Sequence, residues 1–321
     1  MIQLIKNEWV KLWAKKQSWI FLIAVVLFTL IGGLIYNNFS DQLSGGSSEE
    51  GWERQLEIEI EHDKATLSSG EYEEWEREFL ESDIQYHEAV LEAGIDPNET
   101  TNYTFMNDFL LGVASFMTLF SVIIASSVVS SELASGTIKQ LVIRPFERWQ
   151  FLAAKLITVI IYSLMMVVTL FIAHWLVGTV LFGQGSLQAP IVERSFDGPM
   201  MQTTVGSLIF SKLGLYTLNM IMFVIISFSL STLFKSQSLA VGIGIFALFF
   251  SSMSQAFTTL LEGTAWYKFI IVPHLYLQHY ATNDTLMEGV TLPFSLILLT
   301  VYMIVFLAVT TIFFQKRDIA Y

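Results

Sequence analysis

Few residues in this chain have the type and spacing to do chemistry. His274 and His279 stand as His-x-x-x-x-His, whereas a helical zinc pair needs i, i+4 spacing and, for hydrolysis, an intervening glutamate. With Trp266, Tyr276 and Tyr280 close by, they read as histidines packed at a membrane interface. Cysteine is absent, which removes thiol nucleophiles, thiolate metal sites and disulfides together. No Gly-rich loop ends in Lys-Ser or Lys-Thr, so ATP is not cradled in that way. The chain is not read as an enzyme, and no cofactor is expected on it. What remains are polar residues inside long apolar runs: His174, Asn219 and Gln255. Such a side chain either touches a passing substrate or hydrogen-bonds a neighbouring helix, and these three are the candidate substrate-path residues. No apolar run offers a buried acid or base suited to a proton relay. Energy for transport must then come from elsewhere.

The elements that must position these residues are apolar helices. Charged residues make up 14% of the chain, against roughly 25% in soluble domains, and hydrophobic residues 53%. Six apolar runs, at about 19–36, 109–129, 151–182, 213–234, 239–261 and 293–314, approach or exceed the roughly 20 residues that cross a bilayer. The first lacks an Ala-x-Ala-like cleavage site, so it is a retained span. Before it, Ile2, Ile5, Trp9, Leu12 and Trp13 share one helical face and Gln3, Asn7, Glu8, Lys11 and Lys15 the other, the pattern of a helix lying in the membrane interface. The fold class is therefore all-α: a six-span polytopic membrane protein with an N-terminal interfacial amphipathic helix. Residues 1–36 hold that helix and the first span, 37–107 an insert, and 108–321 the remaining five spans.

The insert is a different material. It carries 19 Asp and Glu against 3 Lys and Arg, a local charge of −16 within a chain of −12, which leaves +4 for everything else. Trp52, Leu56 and Ile60, then Tyr72, Trp75, Phe79, Ile84 and Leu91, predict two amphipathic helices in an antiparallel hairpin with glutamate-rich faces in water. Residues 183–204 read as a short loop, and 262–292 as a semi-polar aromatic segment. Six spans place both termini on one side together with Lys6, Lys11, Lys15, Lys16, Lys139, Arg144, Arg148, Lys155, Lys235, Lys316 and Arg317. That side is cytoplasmic by the positive-inside rule, and the acidic hairpin is extracellular.

Residues 130–155 are the polar, basic break between the second and third runs. Within it, 136–142 can form a short helix presenting Ile138, Leu141 and Val142, which Arg144-Pro145 stops because proline donates no backbone hydrogen bond. Such an element is either a lever for a soluble partner or a basic loop that anchors topology.

Glu132-x-x-x-Gly136-Thr137-Ile138-Lys139, followed by Arg144-Pro145, Arg148 and Ala154-Lys155, resembles the coupling-helix region of type-2 ATP-binding cassette (ABC) transporter permeases. The amphipathic N-terminal arm, Leu230-Ser-Thr-Leu-Phe-Lys235 and the Lys316-Arg317-Asp318-Ile319 tail carry the same resemblance, which covers nearly all the chain except 37–104. It implies that a coupling helix at about 131–148 contacts a separate ABC ATPase subunit, with ATP and Mg on that subunit. Glu132, Gly136, Thr137, Lys139, Arg144, Pro145 and Arg148 would carry the ATPase coupling. It implies further that 262–292 is a re-entrant extracellular segment of short helices, and that the path forms with a second permease copy or a paralogous permease. A bacterial exporter of an amphipathic substrate such as a peptide antibiotic, conferring antibiotic resistance, is the resulting expectation, with membrane lipid around it and no nucleic acid. Sodium efflux within the same family, and a membrane-bound sensor using the acidic hairpin as receptor, are the other two readings.

Overall fold

The computed structural model describes residues 1–44, 51–70, 72–137, 146–195, 200–234, 236–261, 264 and 266–316. Helices dominate: α1 (Ile2–Ala14), α2 (Lys16–Ser44), α3 (Trp52–Ser69), α4 (Glu74–Ala93), α5 (Asn102–Ser127) and α6 (Ser130–Ser135), then α7 (Arg148–Phe182), α8 (Val205–Leu233), α9 (Gln237–Leu261) and α10 (Leu292–Lys316). Five segments are long and apolar enough to cross a membrane: 16–38, 102–135, 148–182, 205–233 and 292–316. In α9 the apolar stretch with described side chains is Gln237–Ser251.

α5 is the centre of the bundle, packed against both α7 and α8, with α2 and α9 also on it. Its buried side, including Met106, Leu110, Val113, Ala114 and Met117, meets Met166, Leu170, Tyr216 and Met220. Outward faces stay apolar, as at Ile297, Val301, Ile304 and Val305 of α10, which suits a hydrocarbon surround and not water. α7 begins at a reciprocal Glu147–Gln150 capping box, and α5 at one between Thr101 and Thr104, so both starts satisfy their own free amides.

Several local expectations change. Residues 183–204 are not merely a loop: β1 (Pro190–Glu193) pairs antiparallel with β2 (Met201–Thr204). Residues 262–292 form two 3-10 turns, Tyr267–Phe269 and Leu277–Ala281, and a small β3–β4 hairpin, Thr285–Met287 with Val290–Thr291. The insert has its two helices in contact, through Leu56 against Val90 and Lys64 against Glu88. Their apolar faces are only partly as read: Leu56, Ile60 and Ile84 are buried, but Trp75 and Phe79 are exposed. α4 starts at Glu74, with Trp75 in its first turn and Phe79 in its second.

The helix expected from Gly136 also differs where it is described. The six-residue α6 precedes it and ends at Gly136, whose φ of +71° is left-handed. Glycine adopts that conformation without the Cβ penalty, and it terminates the helix. Residues 138–145, with Lys139, Arg144 and Pro145, lie outside the described residues.

Candidate functional site

Two polar constructions sit at opposite ends of the bundle, and a third lies between them. At the first, α1, α6 and α7 converge. Lys155 of α7, 3% exposed at its side chain, lies 2.6 Å from Glu8 Oε2 and 2.8 Å from Glu132 Oε1. Lys11 bridges the same two carboxylates at 2.8 and 3.1 Å. Two acids and two bases thus alternate around a closed ring. The rest of this end is tied in by neighbours. Ser231 Oγ of α8 accepts from the backbone N–H groups of Val129 and Ser130, both at 3.0 Å. Arg148 donates to the Gln315 carbonyl at 3.0 Å. A cavity of ≈550 Å³ opens beside the ring, lined by Glu8, Lys15, Ser131, Glu132 and Lys155 among others.

Electrostatics explain why Glu8 tolerates this position. Burial pushes its carboxyl pKa up, but Lys155 and Lys11 outweigh burial and hold it below the ordinary value. A carboxyl depressed in this way stabilises the fold above its unfolded pKa, and that stabilisation is lost as pH falls through the lower, folded value. The expected result is that wild-type protein in detergent loses thermal midpoint on acidification below about pH 4.5, and that Glu8→Gln flattens that part of the profile. An unchanged profile in the variant would refute the assignment.

At the second end, beside the insert, Asn102 is fully buried. It donates to Thr179 Oγ1 at 3.0 Å and accepts from the Gly185 N–H at 2.9 Å. Lys212 of α8 reaches Asn107 Oδ1 and Glu193 Oε1 at 2.9 and 3.1 Å, and Tyr36 donates to Asp108 at 2.8 Å. Arg194 pairs with Asp83 and lies 4.7 Å from the centre of the Tyr86 ring, so the insert is fastened to the β1–β2 ribbon. A cavity of ≈680 Å³ lies between α4, α5 and β1, lined by Tyr36, Tyr86, Asp96, Asp108, Glu193 and Arg194 among others.

The third construction sits halfway along α8. Asn219 donates to the Leu275 carbonyl at 2.9 Å and borders a cavity of ≈240 Å³ with Ser115, Thr118, Tyr216 and Gln278. The segment between α9 and α10 therefore reaches the middle of a long apolar helix.

Of the coupling residues read from the sequence, Glu132 joins the ring, and Gly136 and Thr137 follow it directly. Arg148 opens α7 at the same end. Of the substrate-path residues, Asn219 borders a cavity. His174 is fully buried, its Nδ1 3.2 Å from Thr29 Oγ1 and 3.0 Å from the Leu170 carbonyl and its ring stacked on Phe105. The side chain of Gln255 lies outside the described residues. Lys155, counted from the sequence among the basic residues of the cytoplasmic side, is buried inside α7, where Glu8 and Glu132 neutralise it. His274 and His279 do not face one another: His274 is held by Ser295 at 2.7 Å and the Lys268 carbonyl at 2.9 Å, and His279 by the Thr285 carbonyl at 3.1 Å. Among the described residues no group of three or more His, Asp or Glu could hold a metal ion.

Sequence comparison agrees with the membrane character. The chain is 32% identical over the full length of both sequences to "Uncharacterized protein YhcI" of Bacillus subtilis (strain 168). It is also 28% identical over 72% of its length to "Uncharacterized membrane protein YdbK" of the same organism, covering 87% of that protein. With its apolar helices, this makes it a multi-pass membrane protein. A family model matches residues 79–320, three-quarters of the sequence, and the chain belongs to that family, described as "Protein of unknown function (DUF2705)".

Proposed function

We propose that this chain is the membrane-spanning permease subunit of an ATP-driven exporter, energised by a separate ABC ATPase. The observation that carries the reading is the position of Glu132. It heads the run that resembles a coupling element, and its carboxylate is locked to α1 and to α7 through Lys11 and Lys155. A push on residues 133–148 is thereby passed to the N-terminal arm and to a 35-residue helix without slack, because ionic contacts of this burial are short and directional. Six spans, with α9 as the fifth, put both termini and the ring in the cytoplasm and 37–107 outside. In support, Leu275 meets the midpoint of α8, as a re-entrant 262–292 requires. Two permeases, identical or paralogous, would enclose the path, and an amphipathic molecule such as a peptide antibiotic is the cargo.

Affinity purification of the full chain from its native membrane tests this. An ABC ATPase is expected to co-purify in near-equal amount, and Gly136→Val, which places a β-branched residue at a left-handed φ, is expected to cut that recovery at least tenfold. Recovery without any ATPase sinks the reading. The cavity of ≈680 Å³ against the acidic insert supports a second reading, a sensor whose receptor is the insert. In that case deletion of residues 49–96 abolishes signalling while ATPase recovery, if any, is unchanged.

A further inference from the structure

The ≈240 Å³ cavity is bordered by two buried amide oxygens that lack a hydrogen-bond donor. Three of its hydroxyl protons are spent on the protein: Ser115 donates to the Leu111 carbonyl at 3.2 Å, and Tyr216 to the Ala114 carbonyl at 2.6 Å. With the Tyr216 proton so placed, Thr118 must donate to Tyr216 Oη, its close neighbour. What these groups still offer is lone pairs. Two amide oxygens add to them. Asn219, 5% exposed, has Oδ1 buried without a hydrogen-bond partner, and so has Gln278 with Oε1. The Asn219 amide nitrogen is already engaged with Leu275, which fixes Oδ1 as the free end.

Unpaired buried carbonyl oxygens are costly, at about 1–3 kcal/mol each, and a native protein retains them where something else completes them. The cavity holds oxygen acceptors, lacks a carboxylate and lies between apolar helices halfway along α8 and α5. An anion would face the two unpaired amide oxygens there, Asn219 Oδ1 and Gln278 Oε1. A compact cation would be coordinated by neutral oxygens in place of its water, the arrangement that suits hard cations. We infer that this cavity is a binding site for a compact cation, either a primary ammonium head or a sodium ion, with Asn219 and Gln278 as its principal ligands. Gln278 comes from the segment after α9 and Asn219 from α8, so occupancy would also clamp that segment to the bundle. The inference is separable from ATP coupling, because binding is measured on the permease alone.

The test uses the full chain purified in detergent with choline chloride as the background salt, choline having no N–H donor. Thermal unfolding is followed by tryptophan fluorescence during titration with hexylammonium chloride, with sodium chloride, and with hexanol as the uncharged control. A saturable rise in midpoint is expected with one of the two cations and not with hexanol. Asn219→Leu and Gln278→Leu are each expected to weaken it at least tenfold, and Asn219→Asp, which adds a charge of the right sign, to strengthen it about tenfold. Response to hexylammonium alone assigns the site to the head group of an amine cargo; response to sodium assigns it to the ion. No response to either cation overturns the inference and leaves a water-filled cavity, as does a response that Asn219→Asp and Gln278→Leu do not change. These two variants decide the matter if Asn219→Leu fails to fold.

Discussion

Lys155→Met is expected to destabilise the protein by about 3–5 kcal/mol, the cost of leaving a buried charge without its partner. Lys155 is 3% exposed and lies between two carboxylates that are themselves 8% and 16% exposed. Methionine fills much of the volume but supplies no charge. Glu8 and Glu132 then face each other with only Lys11, 41% exposed, to hold them, and one must take up a proton or the ring must open. Removing the exposed Lys64–Glu88 pair, 54% and 50% exposed, should cost under about 1 kcal/mol, because water already solvates both ends. Restoring neutrality separates charge from shape: Glu8→Gln on top of Lys155→Met, which leaves Glu132 paired with Lys11, should recover more than half of the loss. Unfolding of the four proteins in one detergent provides the check. A Lys155→Met midpoint equal to that of Lys64→Ala would show that the ring contributes nothing. If the ring also transmits force, the double variant should be stable and yet transport poorly, a split that loss of folding alone would not produce.

The ring also shows where the sequence stops being legible. The span-length apolar runs were readable because each approaches or exceeds the length a bilayer needs, and five segments are helices able to cross. Glu8 was not readable. On a helical wheel it shares the polar face with Lys11, and that face looks solvated; its partner Lys155 is 147 residues away, and no local period encodes such a pairing. Asn219 stood out as an amide in an apolar run, whereas Gln278 lies in a semi-polar stretch where another glutamine is unremarkable. Only the fold brings the two to one cavity. Trp75 and Phe79 fail in the opposite sense. They keep a helical period, but a two-helix insert has too little partner surface to cover every apolar position, so period alone does not imply burial.

At the other end, Gly178→Val is expected to cost about 3 kcal/mol or more, through overpacking and lost hydrogen bonds together. A Cβ at Gly178 would stand 3.0 Å from Asn102 Cα and 3.1 Å from its carbonyl oxygen and Cβ. The obstruction is mostly backbone and cannot rotate away. Asn102 cannot retreat either, because its side chain joins Thr179 to the Gly185 N–H and its own N–H donates to the Gly183 carbonyl at 3.1 Å. A single methyl needs α5 and α7 to part by a few tenths of an ångström; the branched side chain needs far more and breaks that junction. Small residues permit such close helix contact in a bilayer, where no hydrophobic force between helices can compensate for a gap. Gly178→Ala should therefore fall between wild type and Gly178→Val. Gly112 supplies the contrast: its Cβ would meet nothing within 4 Å, so Gly112→Ala should be neutral, or stabilising by up to about 1 kcal/mol through helix propensity. The order Gly112→Ala, Gly178→Ala, Gly178→Val in falling thermal midpoint is the expected result, and equal midpoints for the two alanine variants would remove the close α5–α7 contact from the account. Because Tyr36, Asp108 and Glu193 line the cavity just beyond this junction, Gly178→Val should also loosen the insert, read as faster proteolysis within residues 49–96.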